Sequence, residues 1–308
     1  MHHLDRLVSK NLVEGLPTLK YEKNRICEAC QKGKKTKNVF KFKNFVSTTR
    51  PLEMLHMDLF LPSRTMSLGG NYYGLVIIDY FSRFTWTLFI VSKDHAFTTF
   101  KHPARVLENE NNCHIYSIKS NHRDEFENER FESFCNKHGI KHNFSASRTP
   151  QQNGVVERKI RSLEELARTL LNDSNLPKYF LADVVNTACY VLNRVLIRPI
   201  SKKTPYELYK GRKPTISHFK VFGCKCFVLN NGKDNIRKFD AKADDGIFIG
   251  YSSHSHAYRI YNKPIMSVEE FVLMVFDETN LDLQDGNKNS AEEEENNSEL
   301  LQNNSRLI

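Results

Sequence analysis

Arg148-Thr149-Pro150-Gln151-Gln152-Asn153-Gly154-Val155-Val156-Glu157-Arg158 is the stretch on which the reading of this chain turns. Asn153-Gly154 opens a helical pattern that runs to about residue 172. Its apolar stripe is Val156, Ile160, Leu163, Ala167 and Leu170, in steps of four and three. Upstream, Leu55 to Phe60 reads as a strand ended by Pro62, with Asp58 near its end. After the Gly69-Gly70-Asn71 turn, Tyr73 to Asp79 and Thr85 to Val91 are apolar, β-rich runs joined by Tyr80-Phe81-Ser82-Arg83, which predicts a hairpin. Residues 94–109 read as a helix, with Pro103 arguing for an interruption. His114 to Lys119 alternates as a strand. Glu127 to His138 is a helix closed by Gly139, and Ile140 to Phe144 is a short strand. Three strands, helix, strand, helix, strand and long helix predict an α/β layer built on a mixed sheet.

Downstream, a second helix is predicted from about Tyr179 to Arg194. After Pro199, Pro205 and Pro214 come short alternating runs at Phe219–Phe222, Cys226–Leu229, Gly246–Tyr251, Ala257–Tyr261 and Glu269–Phe276, a small all-β module. Residues 281–308 hold seven acids against two bases, a local −5, and few apolar residues, so they read as a disordered acidic tail. The whole chain is +9, so the other 280 residues carry +14. A body this basic points to a polyanionic partner, nucleic acid first. Apolar content of 40% with 21 Phe and 12 Tyr can build a sizeable core, which excludes a disordered body. No apolar run approaches the ~20 residues of a membrane helix. The start is no signal peptide, and seven thinly spread cysteines fit a reducing compartment.

The opening stretch closely resembles the integrase of copia-class long-terminal-repeat retrotransposons. So do Leu55-His56-Met57-Asp58-Leu59-Phe60, Asp79-Tyr80-Phe81-Ser82-Arg83-Phe84-Thr85-Trp86, Glu125-Phe126-Glu127-Asn128, Thr187-Ala188-Cys189-Tyr190-Val191-Leu192-Asn193-Arg194, Lys203-Thr204-Pro205-Tyr206-Glu207-Leu208 and Val221-Phe222-Gly223-Cys224. The resemblance covers roughly residues 1–280. It implies a zinc-type N-terminal module (1–45, which reads as truncated) and an RNase-H-like catalytic core with a five-stranded mixed sheet (50–172). A helical connector (173–215), a small β-rich module (216–280) and the acidic tail (281–308) complete the organisation. The chain then reads as part of a Pol polyprotein. The activity implied is metal-dependent strand transfer of element ends into target DNA, in a homo-oligomer, in the nucleus, with no membrane role.

In that chemistry a 3′-hydroxyl displaces a phosphodiester oxygen in line, and two Mg²⁺ (or Mn²⁺) ions clamp the attacking and leaving oxygens. Hard cations want oxygen ligands, and the family supplies two Asp and one Glu. Asp58 and Glu157 match the first and third. Where the second Asp belongs, this chain has Ser120-Asn121-His122-Arg123-Asp124-Glu125-Phe126, and 35 residues separate Asn121 from Glu157. Asn121 removes a full negative charge from the site, a change expected to cost roughly 10²–10⁴ in rate. Asp124 lies about 10 Å along an extended chain and is no ready substitute. The expectation is an integrase with impaired catalysis. The alternatives are a non-catalytic DNA-binding relic and a residual metal-dependent nuclease.

Cys27-x-x-Cys30 is a thiolate half-site for zinc, with His3 the better histidine ligand. His2 and His3 are adjacent, so the site reads as incomplete and full Zn²⁺ binding is not expected. Lys32, Lys34 and Lys35 begin a basic linker suited to phosphates. Arg161 and Arg168 fall four and eleven residues after Glu157, on roughly its face, and Arg158 and Lys159 flank it. Gln151, Gln152 and Asn153 resemble the family's loop before the catalytic helix.

Overall fold

The computed structural model describes residues 47–60, 65–122, 125–145, 153–229, 241–252 and 255–278. The proposed zinc ligands, the basic linker, the loop at 146–152 and the acidic tail lie outside the described residues.

The first sheet has the strand order β3-β2-β1-β4-β5. Its strands are β1 Met54–Phe60, β2 Tyr73–Asp79, β3 Thr85–Ile90, β4 Ser117–Ser120 and β5 Lys141–Phe144. β1 pairs antiparallel with β2, and β2 with β3, whereas β4 joins β1 and β5 in parallel. This is the five-stranded mixed sheet that the resemblance implies.

Helix α1 (Ala96–Asn111) and α2 (Glu129–His138) follow β3 and β4. The expected break at Pro103 does not occur: α1 runs through it. A proline removes one backbone donor, but Ala96, Phe100, Ala104 and Leu107 bury a stripe on both sides of it and hold the two halves in line. Asn128 caps α2 by accepting from the Phe131 N–H at 3.0 Å, and Gly139 ends it at φ 65, where a side chain would be strained.

Helix α3 (Gly154–Asp173) and α4 (Leu181–Val195) cover the opposite side. One core joins Leu55, Met57 and Leu59 of β1 to Phe100, Leu107, Phe131 and Phe134. A second joins Phe60, Val76 and Ile78 to Val156, Leu163, Val184, Val185 and Ala188. Successive β1 side chains thus go to different layers, as period two requires.

The short helix α5 (Pro205–Lys210) lies within the helical connector (173–215) but is not singled out as a helix by the sequence reading. Pro205 occupies its first turn and the Thr204 hydroxyl accepts from the Glu207 N–H at 3.1 Å.

The second sheet is antiparallel throughout, ordered β10-β6-β7-β8-β9. Its strands are β6 Lys225–Leu229, β7 Ala243–Tyr251, β8 Tyr258–Asn262, β9 Ser267–Phe271 and β10 Met274–Asp277. Two expectations fail here. Phe219–Phe222 is not a strand, and Glu269–Phe276 is not one strand but the end of β9, a turn at Val272-Leu273, and β10.

Helix α4 serves both sheets. Its Asn193 carboxamide donates to Thr85 O at 2.8 Å and accepts from Thr85 N at 3.0 Å, pairing the start of β3 as a strand would. On β7, the Thr187 hydroxyl donates to Ile249 O at 2.9 Å. Gly250 follows with φ +151, and a Cβ there would sit 2.6 Å from that same hydroxyl, so the close approach requires glycine. Arg259 of β8 pairs with the buried Asp183 at 2.8 Å.

Candidate active site

β4 lies beside β1 in a register that sets Met54 against Ser117 and His56 against Lys119. The same offset carries Asp58 to Asn121, one residue past β4. The contact forms: Asn121 Nδ2 donates to Asp58 Oδ1 at 2.7 Å. From the other side Asn153, at the N-terminus of α3, donates through Nδ2 to Asp58 Oδ2 at 3.0 Å. The Leu59 N–H adds a third contact, at 2.9 Å to Oδ1. Asp58 is 9% exposed. Two carboxamides therefore enclose the carboxylate, each with its N–H₂ turned inward, because an ionised carboxylate only accepts. Their carbonyl oxygens, Asn121 Oδ1 and Asn153 Oδ1, are buried without a hydrogen-bond partner.

Glu157 is one helical turn beyond Asn153, on the same side of α3 and exposed. The chain thus brings Asp58, Asn121 and the helix end bearing Glu157 into one region. As held, these residues fit a two-cation centre poorly. A cation against Asp58 competes with two N–H donors, and to be ligated by Asn121 and Asn153 it would need both carboxamides turned over. Among the described residues no group of three His, Cys, Asp or Glu side chains is placed to share a metal.

His56 precedes Asp58 by two residues and so shares its side of β1. It is 3% exposed and stacks on Tyr80, with ring centroids 5.3 Å apart. Burial pushes its pKa down to about 3, Arg83 and Lys119 push the same way, and Asn153 opposes. The ring is neutral at physiological pH. His142 on β5 is also neutral: burial lowers its pKa to about 4, and its Nε2 meets Ser120 Oγ at 2.9 Å, next to Asn121. Sequence reading missed His56 and His142, although the two-residue step from Asp58 was the available signal for the first.

Of the proposed DNA contacts, Arg158, Arg161 and Arg168 are exposed on α3. Glu164 and Glu165 share the region of Arg161 and Arg168, so that face is less basic than the arginines alone suggest. Lys159 needs correction. It is 8% exposed, its Nζ has no hydrogen-bond partner, and burial lowers its pKa. Three residues after Val156 and four before Leu163, it falls on the apolar stripe and faces the layer under the helix, away from any surface phosphate.

Comparison with known proteins places these features. Residues 48–150 match the family model for the integrase core domain, and residues 224–289 that for the retroviral polymerase SH3-like domain. The chain is 34% identical over 239 residues to the retrovirus-related Pol polyprotein from transposon TNT 1-94 of Nicotiana tabacum, covering 77% of this chain and 18% of that protein. It is 30% identical over 232 residues to the Pol polyprotein from transposon RE1 of Arabidopsis thaliana (75% and 16%). It is 25% identical over 267 residues to the transposon Ty1-DR6 Gag-Pol polyprotein of Saccharomyces cerevisiae (83% and 15%). The chain spans less than a fifth of each of these relatives. Among solved structures, the HTLV-2 integrase catalytic core domain in complex with magnesium covers 52% of this chain and 97% of its own, at 21% identity and TM-score 0.40. A simian T-cell lymphotropic virus intasome in complex with a PP2A regulatory subunit covers 81% and 87%, at 16% identity and TM-score 0.47.

Proposed function

Because the chain belongs to the integrases of copia-type retrotransposon polyproteins, we propose that it is a DNA-binding integrase whose phosphoryl-transfer step is impaired. One observation carries the reading: an amide N–H₂ from Asn121 lies 2.7 Å from Asp58, where transfer chemistry needs a second carboxylate. Asp58 and Glu157 are the acidic groups that remain. These two carboxylates are what would be left to hold Mg²⁺ or Mn²⁺, whose Lewis acidity the transfer would need. What the protein contributes as it stands is a held Asp58, with DNA backbone contacts from Arg158, Arg161, Arg168 and the linker Lys32, Lys34 and Lys35. Such contacts are sequence-independent and weaken with salt. The partners under this reading are element ends, target DNA and further copies of the chain, in the nucleus.

The test is a strand-transfer assay on labelled element-end DNA with Mg²⁺ or Mn²⁺, comparing the natural chain with Asn121→Asp. The expected result is little or no product from the natural chain and at least a hundredfold more from Asn121→Asp. Full activity in the natural chain overturns the impairment. DNA binding by both proteins with activity in neither identifies a non-catalytic relic, and cleavage without joining identifies a nuclease. For the N-terminal module the reading is a zinc half-site of Cys27, Cys30 and His3 that does not hold metal stoichiometrically. One zinc per chain by elemental analysis would contradict it.

A further inference from the structure

Helices α1 and α2 pack over the apolar side of β1 and leave a groove of about 420 Å³ between them. Phe97, Lys101 and Arg105 recur every four residues on α1. Arg130, Phe134 and Lys137 follow in steps of four and three on α2. Each helix therefore turns one aromatic ring and two cations towards the groove. The rings of Phe97 and Phe134 meet edge to face with centroids 5.6 Å apart and form its floor. Phe97 also packs on Phe131, at 5.6 Å, and Phe134 on His138, at 4.5 Å. Phe134 is buried and Phe97 half-buried.

Lys101, Arg105, Arg130 and Lys137 are exposed, and none of them makes an ion pair among the described residues. Against these four cations the groove is lined by one acid, Glu129. Lys101 and Arg105, four residues apart on one helix, repel each other. A rim of unneutralised like charge above an apolar floor suits an acidic peptide segment with an aliphatic side chain to insert. It does not suit DNA. The ring faces of the floor are taken up by other rings, which leaves no platform for a base. The groove also lies on the far side of the sheet from Asp58 and α3, where the proposed DNA contacts are.

The chain itself carries a segment of that chemistry. Its acidic tail contains Glu292 to Glu295 and then Glu299-Leu300-Leu301, outside the described residues. We propose that the α1–α2 groove is the docking site of the chain's own acidic tail. The glutamates meet Lys101, Arg105, Arg130 and Lys137, and Leu300 or Leu301 rests on the Phe97–Phe134 floor. The connection is long enough. Leu300 is 22 residues beyond Glu278, the last described residue. That gives a reach of up to about 75 Å, more than a folded domain of ~230 residues is across. The contact does not depend on the DNA-binding reading above, because it uses none of the residues assigned to DNA.

The experiment uses the full 308-residue chain. A water-soluble carbodiimide joins a carboxylate directly to an amine that touches it, and mass spectrometry locates the new amide bonds. The tail glutamates should join Lys101 and Lys137 in preference to Lys178 and Lys213, which are exposed elsewhere. The double variant Arg105→Gln with Arg130→Gln leaves both groove lysines in place but removes half the charge. It should cut these cross-links about tenfold, and raised salt should act the same way. Both arginines are exposed, so the melting temperature should hold. Leu300→Ser with Leu301→Ser, which cannot disturb the groove, should cut the cross-links about threefold by removing the apolar anchor. Tail cross-links spread evenly over exposed lysines overturn the site. So do groove cross-links that ignore both salt and the arginine variant. Groove cross-links unaffected by the leucine variant overturn the apolar anchor. A mixture of ¹⁴N and ¹⁵N chains in which mixed-isotope cross-links predominate overturns the intramolecular contact and assigns the groove to the tail of a second copy.

Discussion

The two sides of β1 teach different things although they alternate along seven residues. Leu55, Met57 and Leu59 point into an apolar core, where packing shape decides the energy. His56 and Asp58 point the other way, on the side where Phe60 enters the second apolar core, and are buried there with polar groups around them. There the energy depends on which donor meets which acceptor, and two carbonyl oxygens are left over. The apolar side serves stability, and the polar side keeps a site at stability's expense.

Four measurements would sharpen or break that contrast. The largest effect belongs to Met57→Ala on the apolar side. It should cost about 2–5 kcal/mol in urea unfolding through the cavity it leaves, without changing the salt slope of DNA binding. Next, Asn121→Asp replaces a donor by a second carboxylate against Asp58. In chelator it should lose about 1–3 kcal/mol, and added Mg²⁺ should restore part of the loss. Equal stability with and without the ion would mean that the pair binds no cation. Third is acid. His56 and His142 stay neutral in the fold down to about pH 3 and pH 4, while the unfolded chain protonates them near 6.5. The unfolded state therefore holds more protons between those limits. Their contribution is complete above pH 6.5 and is lost as pH falls, by about 1.4 kcal/mol per pH unit for each histidine. His56→Asn should flatten the profile, and an unaltered profile would show that His56 is not the titrating group. The smallest effect is Glu157→Gln. This exposed side chain should shift stability by no more than about 0.5 kcal/mol, so a large loss in thermal unfolding would show that Glu157 is tied into the polar side after all.

The elements legible in the sequence are those with one dominant periodicity: the β2–β3 hairpin, α2, α3 and α4. Where two signals competed, the sequence misled. Val272 and Leu273 are apolar yet form a turn, 65% and 76% exposed, and so hide the break between β9 and β10. Prolines masked α5, although Thr204-Pro205 is a regular helix start. At the site, Asp58 and Asn121 are joined by the family resemblance alone, and the strand register that brings them together is seen only in the fold. The Asn153 contact was illegible because it depends on where the end of α3 meets the sheet. Lys159 was misread because its charge was weighed before its helical phase.

The position of α4 between the two sheets has a consequence for synthesis. A ribosome delivers residues in order, and α4 leaves it about fifty residues before the β7 segment that carries Ile249, the residue that closes over Val184, Val185 and Ala188. Until then the nascent chain presents an amphipathic helix with one side docked and the other bare. Chains interrupted in that interval would meet chaperones or proteases with that surface uncovered. Completion of the second sheet is therefore the step at which the second side of α4 becomes covered.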